Sequence, residues 1–268
     1  MPTGKDEQYL DLIVNAVRVC ADYRPKFGRG KKAGYSLEEF VALYNADPFY
    51  SWFGIASPLM YAAHKAAGGM TSVYRQIGIG CQQVISLILC DCLGLLPDDV
   101  KWSYTIPGAD HKERRLSLDG RIPIDHVMPR GKRETLRDWV ESVADELELV
   151  NETKDILKGA VFEVRQGYKS KDPKRQNADI SNAANAYAYH YVPVVMLLST
   201  QIDSDVADRY RRARWLLLRG TTQGTATNST YVFMKDVVGY DLAGFFESNS
   251  SLIRKEIELV LRRLLSGD

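Results

Sequence analysis

Residues 192–198 read VPVVMLL, an unbroken stretch with no polar side chain. It is of strand length, and it offers no face to water. A strand of this kind is covered on both sides. Covering both sides of a sheet takes helices, which places the chain among α/β folds. The flanking text agrees. Ala160–Tyr168 alternates as a strand does, and Gln176–Tyr191, rich in Ala and Asn, reads as the connecting helix.

The first third has a different rhythm. Tyr9, Leu10, Ile13, Val14 and Val17 recur at helical intervals, so Asp6–Tyr23 is expected to be a helix. Ser36 with Glu39 forms a capping-box signature, and Asp47-Pro48 ends the helix that it starts. Leu59–Ala67 reads as a short helix broken by Gly68-Gly69, with a second helix over Thr71–Leu93. The aromatics of Pro48–Phe53 read as core rather than as a base-stacking platform. From Lys101 onward strands appear: Trp102–Ile106, Arg115–Ile124, Ala160–Tyr168, Val192–Leu198 and Trp215–Leu218. Helices over Arg133–Leu147, Gln176–Tyr191 and Asp203–Arg214 lie between them, and Ser229–Val238 and Ser250–Leu265 close the chain. The expected fold is therefore α/β: a helical N-terminal part over residues 1–100, then a mixed β-sheet flanked by helices over residues 101–268, packed as one unit.

Net charge is +1, from 35 basic and 34 acidic residues. The sum says little about partners, but the distribution says more. Arg24–Lys32 holds five basic residues and no acid, Lys169–Arg175 four basic residues and one acid, and Arg209–Arg219 five basic residues and no acid. Three such runs favour a polyanionic partner over three unrelated solvated faces. Cys20, Cys81, Cys90 and Cys92 form no paired CxxC sets and have no His at zinc spacing, so they read as thiols in a reducing cytosol. The N-terminus lacks an apolar signal core, and the apolar segment Val84–Leu96 contains Asp91 and is too short to span a bilayer. A cytoplasmic protein without a membrane role is expected.

The chemistry-bearing stretch is Gly159–Thr200. Alternation places Glu163, Arg165, Gly167 and Lys169 on one face of a strand whose Phe162 and Val164 point into the core. Upstream, Asp119 sits among Leu116, Leu118, Ile122 and Ile124, where an acid is costly unless paired, hydrogen-bonded or on a metal. Were two strands to bring Asp119 and Glu163 together, their carboxylates would suit Mg2+, which takes a few carboxylate oxygens and keeps several waters. A cation beside them could orient water or neutralise a developing phosphorane.

This pattern, an acid on one strand, then acid-x-cation on the next, then a helix and a buried strand, resembles the D…(D/E)xK core of type II restriction endonucleases. The longer texts EVRQGYKSKDPKRQNADISNAANAYA and DPFYSWFGIASPLMYAAHKAAGGMTSVYRQIGIGCQ are similar to one group of those enzymes. The resemblance implies a restriction-endonuclease-like sheet and Mg2+-dependent, sequence-specific hydrolysis of double-stranded DNA. It implies a homodimer too, because cutting both strands of a palindromic site needs two active centres. Asp119 and Glu163 match the two metal-holding acids, and Arg165 stands where the lysine belongs. Arginine does not deprotonate at usable pH, so Lys169, on the same face, is the alternative, and Asp125 is the alternative first acid. The two acids lie 163 − 119 = 44 residues apart, so the helix Arg133–Leu147 must be inserted between their strands. Lys171, Lys174, Arg175, Lys31, Lys32 and Arg75 are candidate phosphate contacts, with Gln176 and Asn177 suited to adenine edges.

Other readings of the same residues stay open. Asp119-Gly120 is also a hairpin signal, and Glu163 and Arg165 could be an ion pair on an exposed face. A non-catalytic DNA- or RNA-binding protein, or a metabolic α/β enzyme, would share the sheet. The histidines are scattered, with no nucleophile beside them.

Overall fold

The computed structural model describes residues 4–27, 31–107, 113–167 and 182–266. It divides into two compact units, Met1–Cys81 with Glu247–Asp268, and Gln82–Phe246. Compared with the expected division near residue 100, the boundary falls inside a helix at Cys81, and the end of the chain returns to the first unit.

The first unit is helical. α1 (Gly4–Arg18) continues into a 3-10 turn, Val19–Asp22, and is followed by α2 (Leu37–Asn45) and α3 (Pro48–Trp52). The capping box forms as read: Ser36 Oγ accepts from Glu39 N at 3.3 Å, and Glu39 Oε2 accepts from Ser36 N at 2.9 Å. α4 runs unbroken from Pro58 to Leu93, which corrects the expected break at Gly68-Gly69. The glycines serve close approach instead. A Cβ on Gly68 would lie 2.0 Å from Tyr23 Oη, and one on Gly69 would lie 2.5 Å from Leu264 Cδ2. Packing at these points outweighs the roughly 1 kcal/mol that each glycine costs a helix. As one helix of 36 residues, α4 is long and apolar enough to cross a bilayer by length and composition, and its apolar window is 39% buried in the structure.

The aromatics around α3 are a second correction. Phe49, Trp52 and Phe53 are 57%, 81% and 68% exposed. α3 is a five-residue turn held by its Asp47 cap, too short to bury a face. Its rings pack locally: Tyr50 stacks on Tyr44 at 4.7 Å, and Phe49 lies 4.9 Å from Phe53.

The second unit carries the sheets. After α5 (Pro97–Val100) come β1 (Trp102–Pro107), β2 (Glu113–Leu118) and β3 (Gly120–Pro123). Then follow α6 (Arg130–Glu146), α7 (Asn151–Lys154), β4 (Gly159–Arg165), a helix α8 described over residues 182–188, and β5 (Tyr191–Leu197). α9 (Ser204–Arg212), β6 (Leu216–Leu218), α10 (Thr230–Val232) with a π-helical turn at Phe233–Val238, and α11 (Leu242–Leu265) complete the chain. β1 and β2 form an antiparallel ribbon, while β3-β4-β5-β6 form a mixed sheet, antiparallel at β3–β4 and parallel beyond. The single strand expected over Arg115–Ile124 is thus two strands in two sheets.

Both faces of the mixed sheet are covered, as VPVVMLL required. Val161, Val195 and Leu197 share a cluster with Trp102, Tyr210 and Trp215. On the opposite face, Phe162 meets Phe233 at 5.7 Å, and Phe233 meets Trp139 of α6 at 4.6 Å. The chain is α/β, with a mixed sheet flanked by helices.

Candidate active site

The site is built at the break between β2 and β3. Gly120 pairs with Phe162 in the antiparallel register, yet the N–H of Asp119 also reaches the Phe162 carbonyl, at 2.9 Å. Two residues of one strand thus face one of the other, which is a β-bulge, a device that re-aims side chains and ends pairing. Beyond it, β2 leaves β4 and pairs with β1. Val164 would then face an absent strand, and side chains take the strand's place. Asp119 Oδ2 accepts the Val164 N–H at 2.9 Å, and Gln82 Nε2 of α4 donates to the Val164 carbonyl at 3.3 Å. That N–H belongs to the peptide joining Glu163 to Val164, so the Asp119 carboxylate is fixed against the backbone of Glu163. Helix α6 is the insertion that separates the two acids in sequence, as expected.

Glu163 and Arg165 project from the same face of β4, and Arg165 Nη2 forms an ion pair with Glu163 Oε1. Their side chains are only 8% and 16% exposed, so the pair is not the surface one of the alternative reading. Burying two charges is costly and is tolerated only when each compensates the other. Asp119 therefore belongs to a strand break, not a hairpin turn, and the neighbouring strand carries a buried acid-x-cation pair.

Asp125, the alternative first acid, lies elsewhere. It sits in the 3-10 turn Ile124–His126, past the opposite end of β3, where Ile124 N bonds to Lys158 O. Its side chain is 81% exposed and lies 3.7 Å from Arg137. Of the two, Asp119 is the acid that meets β4 beside Glu163. Lys169, Lys171, Lys174, Arg175, Gln176 and Asn177 lie outside the described residues.

Lys31, Lys32 and Arg75 belong to the first unit. Lys31 is paired with Glu39 and lies 5.1 Å from the Tyr35 ring, while Lys32 and Arg75 are exposed. Of the described histidines, His64 packs edge-on to Phe27 at 5.1 Å, whereas His126 Nδ1 lies 2.6 Å from Asp99 Oδ1 and that hydrogen bond holds Asp99 below the usual carboxylate range. Burial pushes the Cys81 thiol up to about 12, which makes it inert rather than nucleophilic.

Gln82 is the residue that sequence reasoning missed. Its only signal was an amide pair, Gln82-Gln83, inside an apolar helical stretch.

Among the described residues no three His, Cys, Asp or Glu side chains gather to hold a metal. Two carboxylates still match magnesium, whose remaining positions are filled by water and phosphate oxygens. Asp119 and Glu163 supply hard oxygen donors. One Asp119 oxygen is committed to Val164, but a carboxylate can accept about four contacts in all. The donor chemistry therefore fits. No protein-family model matches the chain, nor does any curated protein or solved structure.

Proposed function

We propose that this chain is a magnesium-dependent endonuclease of the type II restriction kind, with a restriction-endonuclease-like sheet, hydrolysing double-stranded DNA at a short sequence as a homodimer. The observation that carries the reading is the Asp119 carboxylate bound to the backbone of β4 immediately after Glu163, which is itself buried and paired with Arg165. Asp119 and Glu163 would hold Mg2+. When bound, the ion supplies charge neutralisation at the scissile phosphate and a more acidic water. Arg165 stays protonated, so it balances Glu163 and developing negative charge and does not serve as a base. The bulge fixes where Asp119 points, and Arg165 offsets the charge of Glu163 in a poorly hydrated setting. The basic run from Lys169 to Arg175 would supply phosphate contacts, with Gln176 and Asn177 reading bases.

A second reading has its own support. A carboxylate that closes a strand ladder and an acid neutralised by arginine also make a sound scaffold, so the same sheet could bind DNA without cutting it. Incubating supercoiled plasmid with the chain in Mg2+ or in EDTA decides between them. Magnesium-dependent linear product supports the endonuclease. DNA that is retained but never cut, with either addition, overturns it in favour of the binding protein.

A further inference from the structure

The basic run Arg209–Arg219, which the proposed active site leaves unused, converges on one cleft. Arg211, Arg212, Arg214 and Arg219 line a cleft of about 660 Å³ beside β6, together with Glu146 and Glu148. Arg211 is paired with Asp208. Arg212, Arg214 and Arg219 have no carboxylate partner among the described residues.

Helices α6 and α9 both end here in the same hydrogen-bonded closure. Glu148 N bonds to Asp145 O and Leu149 N to Ala144 O; Arg214 N bonds to Arg211 O and Trp215 N to Tyr210 O. In that closure the residue after the cap turns left-handed, a position that glycine fills most cheaply. Here the two positions hold Glu148, at φ 52°, and Arg214, at φ 56°. A side chain there costs on the order of 1 kcal/mol. Both helix ends thus bring a charged residue, Glu148 and Arg214, to the lining of one cleft.

We infer that this cleft grips the substrate DNA strand, with Arg212, Arg214 and Arg219 on successive phosphates and Glu148 accepting an exocyclic base amino group. The mixed lining favours this ligand. Guanidinium groups take phosphate oxygens in forked pairs, and the acids would repel a small anion filling the whole cleft. A strand presents phosphates on one side and amino donors on the other. Leu217 of β6 lies on the face of the sheet that carries Glu163 and Arg165, two strands away, or roughly 10 Å, and Arg219 follows β6 directly. The inference rests on the reading of DNA as the polymer that this chain holds.

The test measures retention of a labelled random-sequence duplex by anisotropy in EDTA, over a range of salt, with magnesium-dependent cleavage assayed separately. Arg214→Gly relieves the left-handed strain, so its melting temperature should hold or rise while affinity falls about tenfold. Arg219→Gln should weaken binding similarly, and the pair should lower the salt slope by about 2. Unchanged isotherms and slope in the double variant overturn the cleft assignment and leave the endonuclease reading standing. Loss of binding in these variants, with no cleavage by the unsubstituted chain, supports the cleft and removes the endonuclease. Failure of the unsubstituted chain to hold DNA overturns both.

Discussion

The carboxylate of Asp119 accepts the backbone N–H of Val164 at 2.9 Å, so one side chain takes the place of a missing strand while lying beside the buried acid Glu163. Structure and chemistry at Asp119 can be separated by substitution. Asparagine at this position would keep an oxygen for Val164 and lose the charge, whereas alanine would lose both. Asp119→Ala should cost roughly 1–3 kcal/mol through the unsatisfied N–H, and Asp119→Asn markedly less, as read by urea denaturation. Both should abolish plasmid cleavage. Near-normal cutting by Asp119→Asn would remove the metal-holding role.

Glu163→Gln should destabilise strongly, by about 3–5 kcal/mol, because it leaves the Arg165 guanidinium buried without its counter-charge. Replacing both, as Glu163→Leu with Arg165→Met, should recover most of the loss while activity stays absent. A double variant no more stable than Glu163→Gln alone would show that the pair is not the unit of stability.

Gly159→Ala tests the register that sets the site. Gly159 has φ 147°, and a Cβ there would fall 1.9 Å from the Ile122 carbonyl oxygen of the partner strand. The expected loss is on the order of 3 kcal/mol, from strain and overpacking together. A melting temperature within a degree of the unsubstituted chain would contradict this close approach.

Acid should weaken one contact of the first unit. Arg18 donates two hydrogen bonds to Glu256, both at 2.7 Å, and these hold the Glu256 carboxyl below its ordinary value. A carboxyl lowered by folding adds stability that is complete above its unfolded value of about 4.3 and is lost as pH falls through the folded one. The melting difference between the chain and Arg18→Met should therefore shrink between about pH 5 and pH 3. A difference that grows on acidification would reverse the sign.

If the proposed homodimer forms on DNA, light scattering should give about twice the 30.2 kDa chain mass plus the mass of the bound duplex. A monomer both free and on DNA would exclude the two-fold arrangement, and open-circular plasmid should then accumulate before linear product.

What the sequence disclosed was whatever depends on near neighbours. VPVVMLL announced a strand covered on both sides, and Ser36 with Glu39 announced a helix start; both follow from residues a few positions apart. Gly68 and Gly69 misled because their meaning lies in Tyr23 and Leu264, which no local pattern reveals. The strand break at Asp119 was hidden for the same reason: a bulge is visible only beside its partner Phe162, 162 − 119 = 43 residues on. The exposed rings of Phe49, Trp52 and Phe53 were misread because apolar composition does not say whether a helix is long enough to bury a face. Arg214 looked like one charge in a basic run until its backbone conformation set it apart.

The order of the mixed sheet has a kinetic consequence. Along β3-β4-β5-β6 every strand lies next to its predecessor in the chain. The sheet can therefore be laid down strand by strand as synthesis proceeds, with no strand inserted later between two already paired. Asp119 leaves the ribosome well before Val164, so its carboxylate must wait, hydrated, until β4 arrives. The rate at which β4 docks on β3 then sets the moment at which Asp119 first reaches the Val164 N–H, and a refolding experiment following Asp119→Asn should report on that step.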